Sequence, residues 1–251
     1  IMVGKLIKSS IKTLRVLKES GVTDNLTKFP INRFEIKESK KLTNAANNLD
    51  NIEIMNSKTE KQLSKVNTID ELKTYIESFK GCPLHKDATN AVFSDGNPKS
   101  KIMLIGEAPG HDEDIEGKPF VGRSGKLLDK MLNAINLDRE KVYIANIIPW
   151  RPPANRKPTE EEINICLPLI HKHIELISPE VLLLLGSTST YALLKDKTPI
   201  TKIRGKWFPL NINGKIIQAM PTFHPAFLLR QQKQKKYVWE DLQNVRDSIN
   251  K

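Results

Sequence analysis

Three segments of the sequence combine polar side chains with glycine or proline in patterns that suit a binding site. Gly106–Gly110, with the sequence Gly-Glu-Ala-Pro-Gly, places a carboxylate in a tight turn whose backbone can approach a ligand closely. It lacks the glycine and lysine spacing of phosphate-binding loops, so nucleotide binding is not predicted. Pro119–Gly122 presents Phe120 either to the core or to solvent and a base, and His224 supplies an imidazole.

Short apolar runs precede these segments and predict the buried strands of a parallel sheet. The expected strands are Ile102–Ile105, Val142–Ile148, Val181–Leu185 and Ile216–Met220. Helical patterns lie between them, so the predicted fold is a three-layer α/β/α architecture around a central four-stranded parallel sheet. Ligands of such sheets bind beyond the carboxyl ends of the strands, which predicts one shared site. Those ends carry Gly106–Glu107, Asn146, Gly186–Ser187 and His224.

The charge of the chain points to a polyanionic partner. Its 40 Lys and Arg residues outnumber 29 Asp and Glu residues, which gives a formal net charge of +11. No acidic residue lies between Asp196 and Glu240, and the basic residues there are interspersed with aromatic ones. This pattern is typical of a surface that binds a nucleic-acid backbone. The alternative explanation is a generally lysine-rich composition.

Other classes of protein are not expected from this composition. The apolar runs are far shorter than the roughly 18 residues that span a bilayer, and the first ten residues make a poor secretory signal. Two cysteines, Cys82 and Cys166, provide no disulfide framework, which fits a reducing cytoplasm. Residues 1–70 are polar and weakly patterned, with an amphipathic helix predicted at 5–20 and a solvated tether or loose helix at 44–65.

Several motifs in register resemble those of the family 4 uracil-DNA glycosylases. The matching segments are Gly106–Gly110, Gly117–Gly122, Asn146, Arg151–Arg156, Arg204–Trp207 and His224–Arg230. The resemblance runs from about Phe79 to the C-terminus. It implies a uracil-DNA glycosylase catalytic domain at residues 71–251, preceded by the partly helical N-terminal extension of residues 1–70.

The resemblance also implies roles for individual residues. Glu107 would orient or activate water, and His224 would donate a hydrogen bond to uracil O2, so both are predicted to be catalytic. Phe120 would stack on the flipped base and Asn146 would read its edge. The implied substrate-binding residues are Gly106, Ala108, Phe120 and Asn146. The implied DNA contacts are Leu228 as an apolar wedge and Ser187 and Arg230 at phosphates.

The chain departs from the family at its cluster cysteines. Many family 4 members hold a four-iron, four-sulfur cluster through four cysteines, and only Cys82 and Cys166 stand at those positions here. Phe79 and Trp150 occupy the other two. Because two thiolates are too few for such a cluster, no cofactor and no metal are expected, and a retained cluster is the alternative. The acidic turn 111–114 is predicted to be a solvated loop.

The predicted function is hydrolysis of the glycosidic bond of uracil in DNA, as the first step of base-excision repair. The expected enzyme is monomeric and monofunctional, since no lysine stands at an aligned pocket position to form a Schiff base. It is expected in the cytoplasm of a bacterial-type cell, associated with the nucleoid and not with a membrane. Two alternatives stay open: broader specificity for deaminated bases, and a catalytically silent DNA-binding module of the same fold.

Overall fold

The structure is a computed structural model that describes residues 52–249, so predictions made for residues 1–51 lie outside the described residues. The helices are α1 (52–63), α2 (Ile69–Ser78), α3 (His111–Glu116), α4 (Arg123–Asn133), α5 (Glu160–Ile177), α6 (Ser187–Leu194), α7 (Ile200–Ile203), α8 (Pro225–Arg230) and α9 (Lys235–Ile249). The strands are β1 (Asp95–Gly96), β2 (Ile102–Gly106), β3 (Tyr143–Asn146), β4 (Val181–Leu185), β5 (Phe208–Ile212) and β6 (Lys215–Thr222).

The strands form a six-stranded sheet in the order β1-β3-β2-β4-β6-β5. The four central strands are parallel, so the predicted four-stranded parallel centre is confirmed. The two edge strands, β1 and β5, pair antiparallel and were not predicted. β1 has only two residues and β5 contains Pro209, so neither carries the apolar run that marks a buried strand.

Both faces of the sheet are covered by helices, which gives the three layers. Met103 and Ile105 of β2 belong to one buried cluster with residues of α2 and α5, such as Leu72. Ile102 and Leu104 belong to a second cluster with residues of α4 and α9. Successive side chains of a strand point to opposite faces, so a strand buried on both faces is apolar throughout.

Part of the predicted N-terminal extension belongs to this core. Ile52 and Leu63 of α1 are buried in the same cluster as Leu72 of α2, and Val66 joins them from the connecting turn. Residues 52–63 therefore form a packed amphipathic helix where the sequence suggested a solvated tether or a loose helix. The apolar residues are widely spaced along a polar helix, so their shared face is evident only once the core surface opposite them is known.

The carboxyl ends of the parallel strands are held close together. The backbone N–H of Ile147 donates to Gly106 O over 3.0 Å, and that of Gly186 donates to Thr222 O over 2.8 Å. These bonds tie the residues that follow the central strands into one edge. Within residues 52–249, no helix is both long and apolar enough to cross a membrane.

Candidate active site

A cavity of about 200 Å³ opens at this edge of the sheet. Five side chains that the sequence singled out line it, together with parts of the loop that follows Trp150. They are Glu107, Ala108, Phe120, Asn146 and His224. The predicted site residues that follow β2, β3 and β6 are thus brought together, as expected for the carboxyl edge of a parallel sheet.

Gly106, the last residue of β2, lies behind Phe120 and Asn146 and does not itself line the cavity, and there is no room at this position for a side chain. A Cβ atom there would lie 2.7 Å from Cζ of Phe120 and would overlap Oδ1 of Asn146. The missing side chain therefore lets the aromatic ring and the amide approach the same strand end. This close approach is the physical reason for glycine at the first position of the turn.

The amide of Asn146 is the most conspicuous polar group in the cavity. The residue is only 7% exposed, and its Oδ1 atom is buried without a hydrogen-bond donor among the described residues. A buried acceptor without a partner is costly, and most such groups in proteins are paired. A ligand that presents an N–H group toward the cavity would satisfy it.

Phe120 is held in an unusual backbone conformation beside the cavity. Its φ is +55°, in the left-handed region that side chains other than glycine seldom adopt, and its ring is 5% exposed. Its ring centroid lies 5.5 Å from that of His224. A Cβ on Gly125 would overlap the Phe120 carbonyl, so the first turn of α4 packs directly against this backbone. Phe120 is therefore mostly buried and still lines the cavity.

Arg139 fixes the Phe120 loop from the side opposite the cavity. Its guanidinium donates to Pro119 O over 3.1 Å and also to Phe120 O. The same group pairs with Asp95 Oδ2 at 2.7 Å and with Asp129 Oδ1 at 2.8 Å. Two carboxylates thus orient the planar guanidinium toward the loop. No sequence motif marked Arg139, because its four partners come from three separate segments.

The acidic turn at 111–114 is not the solvated loop that the sequence suggested. Glu113 Oε2 accepts from Gly110 N at 3.1 Å, while its Oε1 accepts from Gly122 N at 2.9 Å. Asp114 is buried as well and accepts from the backbone N–H of Thr89 at 2.8 Å. The expectation was wrong because these carboxylates accept hydrogen bonds from backbone N–H groups and not only from water. Glu113 ties the Gly106–Gly110 turn to the Phe120 loop.

His224 lines the cavity at the start of α8, where it caps the helix. Its Nδ1 accepts from Ala226 N at 3.1 Å. Burial, with a smaller contribution from the charge of Arg230, lowers the pKa of His224 to about 4. The imidazole is therefore neutral at neutral pH. Because Nδ1 is the acceptor, the single ring proton lies on Nε2, which can donate to a ligand.

Glu107 lies in the wall of the cavity with its carboxylate engaged by one side chain. The hydroxyl of Thr188, in the first turn of α6, donates to Glu107 Oε2. The backbone of Glu107 is fixed too, since its carbonyl accepts from Ile148 N at 3.1 Å. Sequence reasoning missed Thr188, although it lies next to the predicted phosphate contact Ser187.

The three predicted DNA contacts differ in their exposure. Ser187, at the start of α6, and Arg230, at the end of α8, are both exposed. Leu228 is 0% exposed and packs in the core with residues of α4 and α9. A side chain without exposed surface can enter a DNA stack only if it leaves this packing, so the wedge at Leu228 stays a prediction that requires such a movement. Its neighbours Phe227 and Leu229 are half-buried.

Arg204, one of the basic residues between 197 and 236, stabilises the fold through an ion pair. Arg204 pairs with the buried Asp241 of α9 and donates to Tyr237 O. Asp241 also accepts from the Thr222 hydroxyl at 2.6 Å. Arg204 therefore holds α9 against the end of β6, and its charge is not free for a phosphate.

The two cysteines lie in a separate part of the core, which we call the thiol region: Phe79, Cys82, Trp150 and Cys166. Both thiols are free and fully buried. The rings of Phe79 and Trp150 stack with their centroids 6.1 Å apart and an angle of 20° between their planes. Burial raises the pKa of the Cys166 thiol well above its ordinary value. Among residues 52–249, no group of three or more His, Cys, Asp or Glu side chains is arranged to hold a metal ion.

A family model and several known proteins resemble this chain. A family model described as the uracil DNA glycosylase superfamily matches residues 93–243. A type-4 uracil-DNA glycosylase of Saccharolobus solfataricus is 42% identical over 190 residues, which cover 74% of this chain and 88% of that protein. A type-4 uracil-DNA glycosylase of Thermotoga maritima is 40% identical over 180 residues, covering 70% of this chain and 92% of that protein.

Proposed function

Because this chain belongs to the uracil-DNA glycosylase superfamily and is most similar to type-4 members among the relatives compared, we propose that it excises uracil from DNA. The reaction is hydrolysis of the bond between uracil N1 and deoxyribose C1′, with water as the nucleophile. It releases free uracil and leaves an abasic site with an intact strand. The enzyme is thus a monofunctional N-glycosyl hydrolase of base-excision repair.

The observation that carries this assignment is the unsatisfied Oδ1 of Asn146 in the cavity wall. Uracil N3–H is a donor that would satisfy it, and the amide Nδ2 can donate to uracil O4. Cytosine carries an acceptor at N3 and a donor at C4, so the same amide would leave its buried groups unpaired. Phe120 supplies the ring on which a flipped base stacks.

We assign the chemical step to His224 and Glu107. As the glycosidic bond breaks, negative charge develops on uracil O2, where the Nε2–H of neutral His224 donates a hydrogen bond. Positive charge develops on the sugar, where the Glu107 carboxylate orients the attacking water and favours the cation. The hydroxyl of that water adds to C1′, and the uracil anion is protonated after it leaves.

We further propose that this chain works without an iron–sulfur cluster. Two buried thiols and two stacked rings do not fit a cluster that needs four thiolates, because Phe79 and Trp150, which the resemblance aligns with the other two ligands, cannot bind iron. The test is iron analysis of protein purified without oxygen. We expect no iron and no visible absorbance band, whereas stoichiometric iron would overturn the proposal.

The proposed partner is uracil-containing DNA, bound by a monomer. Ser187, at the start of α6, and Arg230, at the end of α8, are exposed, which supports phosphate contacts that position the DNA. The reduced thiols are consistent with a cytoplasmic enzyme acting at the nucleoid. Binding is expected to weaken steeply with added salt, because phosphate contacts release counterions.

The direct test is release of uracil from a labelled oligonucleotide that contains one uracil, with an otherwise identical thymine oligonucleotide as the control. We expect free uracil and an abasic strand that breaks only on later alkali treatment. His224→Ala should lower kcat by about 10²–10³-fold, as for other donors to a developing anion. Binding of uracil DNA without release would instead support the silent DNA-binding module. A panel of deaminated bases tests for broader specificity.

A further inference from the structure

Glu107 is held by a residue from another part of the fold. The hydroxyl of Thr188 donates to Glu107 Oε2 across the gap between the ends of β2 and β4. Within residues 52–249, the carboxylate of Glu107 accepts no other hydrogen bond from protein. Thr188 is half-buried and lies in the second position of α6, two residues after Gly186.

The direction of the Thr188 hydroxyl is unusual within its helix. Ser189 and Thr190, the next two residues of α6, donate their hydroxyl protons back to Gly186 O at 3.1 and 2.8 Å. A hydrogen bond from a Ser or Thr hydroxyl to a backbone carbonyl three or four residues earlier is common in helices. Thr188 instead donates to a carboxylate outside its helix, that of Glu107, a residue that lines the cavity.

This bond has a specific consequence for the carboxylate. A glutamate side chain loses considerable rotamer freedom when it is fixed, and a free one samples many orientations. With Oε2 engaged by Thr188, the orientations open to the carboxylate are restricted, and Oε1 is left to accept a hydrogen bond from water. Thr188 itself is β-branched, so its own χ1 is restricted.

We propose that Thr188 is a positioning residue for Glu107 in uracil excision. It holds the carboxylate so that Oε1 orients the attacking water, and it makes no contact with the base. The inference rests on the proposed function, since it presumes that Glu107 acts on water in that reaction. It predicts that loss of the Thr188 hydroxyl slows the chemical step without weakening DNA binding.

The experiment compares Thr188→Val with Thr188→Ser in single-turnover uracil release and in DNA binding. Valine keeps the shape of threonine without the hydroxyl, whereas serine keeps the hydroxyl. We expect Thr188→Val to slow release roughly ten- to a hundredfold, as misplaced catalytic groups do, and Thr188→Ser to recover most of the rate. The Kd for uracil DNA should stay within about twofold of wild type in both variants, because the lost interaction acts in the chemical step. Thr74→Val, on the exposed surface of α2, is the matched control and should change neither quantity.

A double-mutant cycle with Glu107→Ala separates positioning from a structural role. If Thr188 acts through Glu107, Thr188→Val should have no further effect in the Glu107→Ala background. The inference is overturned if the valine variant releases uracil at the wild-type rate, or if its loss is the same in both backgrounds. It is also overturned if serine restores nothing. A wild-type protein that releases no uracil would overturn the proposed function and this inference together.

Discussion

The cavity and the thiol region are both built from side chains of several separate segments. They differ in whether protein side chains fill the space and satisfy the buried polar atoms. In the cavity, Asn146 keeps a buried acceptor without a protein donor among the described residues, and the absence of a side chain at Gly106 lets the amide approach the strand end closely. In the thiol region, two large rings stack and both thiols are fully buried. One region is incomplete without a ligand, and the other is filled by its own side chains.

This difference distinguishes a binding site, the cavity, from a packed part of the core, the thiol region. A buried polar group without a partner costs free energy, so it persists where a ligand supplies the partner. Close packing of apolar rings needs no ligand and stabilises the fold directly. Substitutions in the cavity should therefore change activity more than stability, and substitutions in the thiol region should do the reverse.

The sharpest test of the comparison is Asn146→Ala. We expect kcat/KM for uracil DNA to fall by about 10²–10³-fold, because a donor and an acceptor for the base are lost. The free energy of unfolding should change by less than about 1 kcal/mol, because the removed Oδ1 has no hydrogen bond to lose. Uracil release and urea denaturation measure the two quantities, with the exposed Asn133→Ala as control. A large loss of stability would show that the amide supports the fold.

Arg139→Met tests whether the cavity wall depends on its support. The change removes two ion pairs and the donors to Pro119 O and Phe120 O, so unfolding should become easier by about 2–3 kcal/mol. Uracil release should also slow, by about tenfold or more, because the Phe120 ring is no longer held in place. Lys101→Met breaks an exposed pair with Glu180 and should cost less than about 1 kcal/mol. Unchanged activity in Arg139→Met would separate the loop from catalysis.

Phe79→Ala tests the thiol region. Removing a half-buried ring that stacks on Trp150 should lower the free energy of unfolding by about 2 kcal/mol, less than for a fully buried ring. The folded enzyme should keep its kcat/KM, since Phe79 does not line the cavity. Chemical denaturation and uracil release at low temperature are the measurements. A loss of activity in fully folded protein would contradict the division between the two regions.

Acid should affect the fold through buried imidazoles, and His173 is the clearest case. Burial lowers the pKa of His173 to about 3 from its ordinary 6.5. Below pH 6.5 the His173 imidazole is therefore protonated in the unfolded chain, whereas in the folded protein it stays neutral down to about pH 3. The free energy of unfolding should fall as pH falls through this window, by at most about 1.4 kcal/mol per pH unit. Denaturation at a series of pH values measures the slope, and His173→Gln should reduce it.

Much of the site was predictable because its residues follow buried strands. An apolar run that ends in Gly106 identifies the carboxyl end of a strand, and parallel strands bring such ends together. The order of the motifs then placed Glu107, Phe120, Asn146 and His224 around one ligand. The edge strands escaped prediction because a two-residue strand and a strand with a proline carry little periodic signal.

The residues that support the site were not predictable in the same way. Arg139 meets carboxylates and carbonyls that are 10 to 44 residues away in sequence, and Thr188 meets Glu107 across 81 residues. Their side chains are common types in unremarkable contexts, so spacing along the chain gives no indication of these contacts. The burial of Leu228 depends likewise on how α8 packs against α4 and α9.

The sequence by itself determined the fold class, the four central strands and the chemical identity of the cavity residues. These properties follow from local apolar runs, from glycine at close approaches and from the order of the motifs. Only the tertiary structure decided which polar atoms are satisfied: Glu113 by backbone N–H groups, Glu107 by Thr188, and Asn146 Oδ1 by nothing within the described residues. Hydrogen bonds are short-ranged, so their pairing is set by where the folded chain places each atom and not by its position in the sequence.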